Sequence, residues 1–203
     1  MSEPAPQPQG MDYDERTALL VVDVQNDFAD PGGSLYVDGG EEVLRAANRE
    51  IERAKQAGAL VVYTQDWHPE STPHFQKDGG VWPTHCVQDT WGAQLHEALQ
   101  VVDGPVVRKG VDGGDGYSGF SVRDPESGED AATELERILR HHGTRVVVAG
   151  LAQDVCVKET VLDARRLGFD AVVVKDATAA VNRERGDEDR AYEATEAAGA
   201  RVR

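Results

Sequence analysis

The stretch TRVVVAGLAQDVCVKETVLDARRLGFDAVVVKD, residues 144–176, decides the architecture. TRVVVAG (144–150) is an apolar run of strand length, Val155–Leu167 has helical character, and DAVVVKD (170–176) is a second buried-strand run. Strand, helix and strand in that order make a right-handed crossover and place both strands parallel in one sheet. Outward from this unit the alternation repeats. ALLVVDV (18–24), ALVVYTQ (59–65) and PVVRKG (105–110) read as further strands. Glu41–Ala57, with Gly58 as C-cap, Ala131–His142 and Asp187–Ala198 read as helices, and a short helix is expected near Ala93–Leu99. ARV at the end adds a short edge strand. The expected fold is therefore α/β: a three-layer αβα sandwich around a central, mostly parallel sheet of about six strands.

The 203 residues suit one domain, 17–203, behind a Pro- and Gln-rich flexible tail, 1–16. That tail lacks the basic lead and apolar core of a secretory signal. No apolar run approaches the roughly 20 residues of a membrane span. The net charge of −16 argues against nucleic acid and against anionic membranes, since both need a basic face. Two cysteines, Cys86 and Cys156, make no disulfide framework, and the expected setting is the reduced cytoplasm.

In open parallel sheets the working site lies beyond the carboxyl ends of the strands. Polar residues fall there repeatedly. Asp23 closes the first run, Asp66 and His68 follow the second, Lys109 closes the third, and Cys156 follows the fourth. Free cysteines are usually packed and inert, but Cys156 stands where a strand gives way to a helix, whose N-terminal dipole favours thiolate. Asp23 taken alone could be a turn former and Lys109 a solvated ammonium. If the strand ends converge, Asp23 can take the thiol proton and Lys109 can stabilise the resulting charges. Asp66 and His68, two apart on an extended run, point to one face. His74 and His85 lie in the loop behind them, so three of the six histidines cluster there. One carboxylate with two or three imidazoles suits Zn²⁺, Fe²⁺ or Mn²⁺, though a solvated loop can also gather histidines.

These residues, with DVQNDF (23–28), DWH (66–68), WPTHC (82–86), RKG and YSGF (108–120) and GLAQDVCV (150–157), resemble the isochorismatase-like cysteine hydrolases. Within them the chain is similar to the nicotinamidases (pyrazinamidases), from about Ala18 to Ala200. The resemblance implies a catalytic triad of Asp23, Lys109 and Cys156 and an oxyanion hole from the Ala152 and Cys156 amides, with a cis Leu151–Ala152 bond. It implies metal ligands Asp66, His68 and His85, with His74 as a further one, and ring contacts from Phe28, Trp82 and Tyr117. The implied reaction is hydrolysis of nicotinamide to nicotinate and ammonia through a cysteine thioester, with a divalent metal, in NAD salvage. The family also implies a homo-oligomer. Cys86, beside His85, is expected to be a packed thiol. The chain departs from the family at Gly116, where relatives often carry Ser. A sister amidase acting on a carbamoyl or ureido compound shares the triad but lacks the full metal set. A non-catalytic α/β binding module has no need for all three triad residues.

Overall fold

The computed structural model describes residues 13–203. Strand β1 (Thr17–Val22) is buried at every position, and β2 (Leu60–Asp66) and β6 (Arg145–Leu151) at all but their first. Near-continuous apolar strands need cover on both faces, which is the condition of a parallel sheet between helical layers. With β3 (Val106–Lys109), β7 (Asp170–Ala179) and β8 (Arg201–Val202) they form one sheet in the order β3-β2-β1-β6-β7-β8, parallel throughout. Side chains alternate across it. Leu19 and Val21 face a core shared with α1 (Asn26–Ala29) and α2 (Gly40–Gln56). Leu20 and Val22 face a second core with α3 (Leu135–Arg140), α4 (Lys158–Arg166) and α5 (Asp187–Ala197). Burying each such leucine or valine stabilises the sheet by about 1.5–3 kcal/mol.

The strand order reverses between β1 and β6, which pair from Thr17–Arg145 to Val22–Gly150. Chain leaves the two strands in opposite directions and a crevice opens at their carboxyl ends. Gly150 lies at that junction with φ 118°, and a Cβ there would stand 2.0 Å from the Val22 carbonyl oxygen. Only glycine lets the strands approach so closely there.

Four expectations are corrected. Ala93–Leu99 forms no helix. The carbonyls of Gly92 and Gln94 accept the backbone N–H groups of Asp27 and Asn26, and that of Ala93 accepts the Gln25 and Gln65 amides, so the segment is zipped to the chain after β1. The helix expected over Ala131–His142 shrinks to α3, because Asp130–Ala132 forms β5, antiparallel to β4 (Ser121–Arg123). Thr133 then marks the switch, its N–H on the Phe120 carbonyl and its hydroxyl accepting from the Leu135 N–H. The helix expected from Val155 opens with a π turn, Gln153–Val157, before α4. Of the tail expected over 1–16, residues 1–12 lie outside the described residues, whereas Tyr13 is buried and donates to Glu50 at 2.8 Å. Among the described residues, no helix is long and apolar enough to cross a membrane.

Candidate active site

The four strand ends meet at the crevice. Asp23 follows β1 with φ 48°, a left-handed conformation that aspartate tolerates better than most residues. Its fully buried carboxylate accepts the Thr64 hydroxyl at 2.6 Å and stands 2.8 Å from the ammonium of Lys109. Lys109, the last residue of β3, is itself fully buried. Its ammonium also donates to Asp66 and to the Gly116 carbonyl, and lies 3.6 Å from the Cys156 sulfur. Cys156 projects from the π turn after β6. The carboxylate oxygens of Asp23 and Asp66 and the Cys156 sulfur all lie within 4.8 Å of one another.

Burial governs how these groups hold their protons. It pushes the Asp23 carboxyl up to about 6, assisted by the neighbouring Asp66 charge and opposed by the Lys109 ammonium. Burial also pushes the Cys156 thiol well above its ordinary range, against the pull of Lys109. For Lys109 burial favours the neutral amine, but Asp23 and Asp66 outweigh it and hold the ammonium well above its usual value. The resting site is thus a thiol, an ammonium and, at neutral pH, an ionised Asp23.

Asp66 ends β2 in register with Lys109. Gln25 clamps its backbone, accepting the Asp66 N–H at 2.9 Å and donating to the Asp66 carbonyl at 2.8 Å. Its free Oδ2 lies 3.8 Å from Nε2 of both His68 and His85. Ring nitrogens of His68, His74 and His85 lie within 4.8 Å of one another. Nδ1 of His85 stands 2.7 Å from the Pro83 carbonyl, which can only accept, so Nδ1 carries the proton and Nε2 presents a lone pair. Both ring nitrogens of His68 are buried without a hydrogen-bond partner. An unpaired buried polar group costs about 1–3 kcal/mol, which a bound cation would offset. Ligand atoms about 2.1 Å from one ion stand roughly 3–4 Å apart. The Asp66–His68 and Asp66–His85 separations match that spacing, and one carboxylate with three neighbouring imidazoles is a donor set that suits a divalent metal.

Asp66, His74, His85 and Cys156 all border one narrow cavity. Phe28, Trp82 and Tyr117 line it, and Leu35, Val155 and Val181 complete its apolar wall. The Trp82 indole N–H donates to the Tyr117 hydroxyl at 3.0 Å, and the indole stacks on His74. Ala152 and Cys156 border the same space, and the Leu151–Ala152 bond is cis. Cys86 stays apart from the chemistry. It is fully buried, its N–H donates to Asp27 at 2.7 Å, and burial pushes its thiol well up.

Sequence reasoning missed Leu35 and Val181, which come from distant loops with no local signal of their role. It also missed Gln25, Thr64 and the Gly116 carbonyl, which act through hydrogen bonds to backbone or to triad atoms. The motif DVQNDF (23–28), which contains Gln25, was the available pointer to it.

The isochorismatase domain family matches residues 17–203. The nicotinamidase of Escherichia coli K12 is 39% identical over 201 residues, covering 90% of this chain and 92% of that protein. The pyrazinamidase of Pyrococcus horikoshii, solved in complex with zinc, superposes with a TM-score of 0.81 at 38% identity, covering 93% of this chain and 98% of that one. The L. infantum PnC1 protein in complex with nicotinate gives 0.83 at 38% identity, covering 94% of each chain.

Proposed function

The chain belongs to the isochorismatase domain family, and from that premise we propose that it is a metal-dependent nicotinamidase, releasing ammonia and nicotinate from nicotinamide. One observation carries the reading. A buried Asp23–Lys109–Cys156 group, joined through the Lys109–Asp66 contact to a cluster of Asp66 and three histidines, borders one cavity walled largely by apolar side chains. A ureido substrate of a sister amidase has no aromatic ring for Phe28 and Trp82 to hold.

Phe28, Trp82 and Tyr117 hold the pyridine ring and set the carboxamide over Cys156. Asp23 accepts the thiol proton as the sulfur attacks the amide carbon. The carbonyl π electrons move onto oxygen, where the Ala152 and Cys156 N–H groups are assigned as the oxyanion donors, each worth about 2.7–4 kcal/mol. The C–N bond breaks as Asp23 returns its proton to nitrogen, leaving ammonia and a thioester. Asp23 then takes a proton from water, whose oxygen attacks the thioester, and the C–S bond breaks as Asp23 returns that proton to sulfur, giving the thiol and nicotinic acid, which ionises to nicotinate at neutral pH. Lys109 keeps Asp23 ionised at neutral pH and steadies the sulfur as its charge grows. Asp66, His68, His74 and His85 would hold a divalent ion, with Zn²⁺, Fe²⁺ and Mn²⁺ all compatible, which would supply Lewis acidity. The same reading puts the enzyme in the reduced cytoplasm, where the Cys156 thiol persists.

The test is ammonia release from nicotinamide before and after chelation, beside a ureido substrate. Turnover that chelation abolishes and added Zn²⁺ or Mn²⁺ restores is expected. Silence on nicotinamide with turnover of the ureido compound would move the chain to a sister amidase. A pH profile adds a second check. Asp23 must be ionised to accept the proton, and its pKa is raised to about 6, so kcat/KM should fall about tenfold per unit below that value. An acid limb centred near 4 would mean that Asp23 is not the base.

A further inference from the structure

We infer that Asp115 is a positioning residue that holds His74 on the metal, and that the β4–β5 hairpin exists in part to hold Asp115. The inference rests on the metal-dependent reading above and adds a residue that lies outside both the triad and the ligands. Asp115 Oδ1 stands 2.6 Å from His74 Nδ1. A carboxylate there places the proton on Nδ1 and turns the Nε2 lone pair toward the other ligands. Pro83 does the same for His85 with a neutral carbonyl, whereas Asp115 adds a charge that makes the imidazole a stronger ligand.

Asp115 is itself held from the other side. Its N–H donates to the Arg123 carbonyl at 2.7 Å and its carbonyl accepts the Arg123 N–H at 2.9 Å, which extends the ladder of β4. Arg123 in turn pairs with Asp130 of β5. Gly114 permits this approach, since a Cβ there would stand 2.6 Å from a Val122 methyl and 2.9 Å from the Arg123 carbonyl oxygen. The loop carrying His74 is tied to the same segment a second time. Thr72 donates to the Gly113 carbonyl at 2.6 Å while accepting the His74 N–H at 3.2 Å. His74 comes from a long loop, where stacking against His68 and Trp82 fixes the plane of its ring and the Nδ1–Asp115 bond fixes which nitrogen faces the other histidines. The hairpin converts a loop histidine into a pre-oriented ligand.

The test is Zn²⁺ affinity of the metal-stripped full chain, measured in competition with a chromophoric chelator. It uses the unaltered protein, Asp115→Ala, His74→Ala and the double variant, with far-UV circular dichroism to confirm the fold. Asp115→Ala is expected to weaken Zn²⁺ binding about 10–100-fold in the unaltered background and less than about 2-fold in the His74→Ala background. Asp115→Asn, which keeps the shape and one acceptor oxygen, provides the same comparison at smaller size if the alanine variant is unstable. Equal losses in both backgrounds, or none in either, would overturn the inference while leaving the metal site standing. An unaltered protein that binds no Zn²⁺ would overturn the metal reading and the inference together.

Discussion

Cys156→Ala is expected to slow ammonia release from nicotinamide by about 10⁴-fold or more, with the fold and ring binding kept. The size of the effect follows from the role proposed for the sulfur, which forms the bond that replaces C–N. The other cysteine, Cys86, is packed away from the cavity, its thiol pushed up by burial. The variant should remain folded because the change removes one sulfur at the border of the cavity and adds no bulk or charge to the core. Acid-quenched turnover followed by mass spectrometry supplies a second readout. The unaltered enzyme should show the nicotinoyl adduct on Cys156, and the alanine variant none. Retention of more than a few per cent of the rate would sink covalent catalysis, whatever the substrate.

Lys109→Met is expected to be the most damaging single change to stability. The ammonium is fully buried between Asp23 and Asp66, and removing it leaves two carboxylates facing each other in a low dielectric. Breaking a buried pair in this way costs about 3–5 kcal/mol. For a domain of this size that corresponds to a fall in Tm of roughly 6–20 °C. The pH dependence has a definite sign. Without Lys109 the folded-state pKa of Asp23 rises further above its unfolded value. The stability associated with its protonated form is therefore present at low pH and lost as pH rises through the folded pKa. The deficit against the unaltered protein should be smaller at pH 5 than at pH 8. A Tm within 2 °C at both values would mean that the pairing contributes nothing. Activity should fall with it, since a smaller fraction of Asp23 would be ionised to take the thiol proton.

Both expectations began as positions in a sequence. Strand runs ending in Asp23, Asp66 and Lys109, and a strand-to-helix junction carrying Cys156, were legible because apolar periodicity is local and an open parallel sheet puts chemistry at its carboxyl edge. The motifs around them made the metal ligands and the cis Leu151–Ala152 bond expectations of resemblance. Misreadings fell where local pattern lost to distant partners. Ala93–Leu99 has helical composition, yet its backbone is spent on residues 24–27 and on the Gln25 and Gln65 side chains. Ala131 and Ala132, the start of the helix expected over Ala131–His142, are strand because Ser121–Arg123 offers a ladder.

The sequence by itself determined the class of fold, the sheet edge where the work is done and the residue types that do it, since these follow from composition and from periods of two and 3.6 residues. Only the tertiary structure decided the strand order β3-β2-β1-β6-β7-β8, which brings positions 23, 66, 109 and 156 within reach of one another. It alone revealed the Gln25 clamp on Asp66, the Thr64 hydroxyl on Asp23 and the Asp115 carboxylate on His74. Each is a hydrogen bond between residues about forty apart in the chain, and such bonds depend on where folded backbone arrives rather than on any repeating pattern.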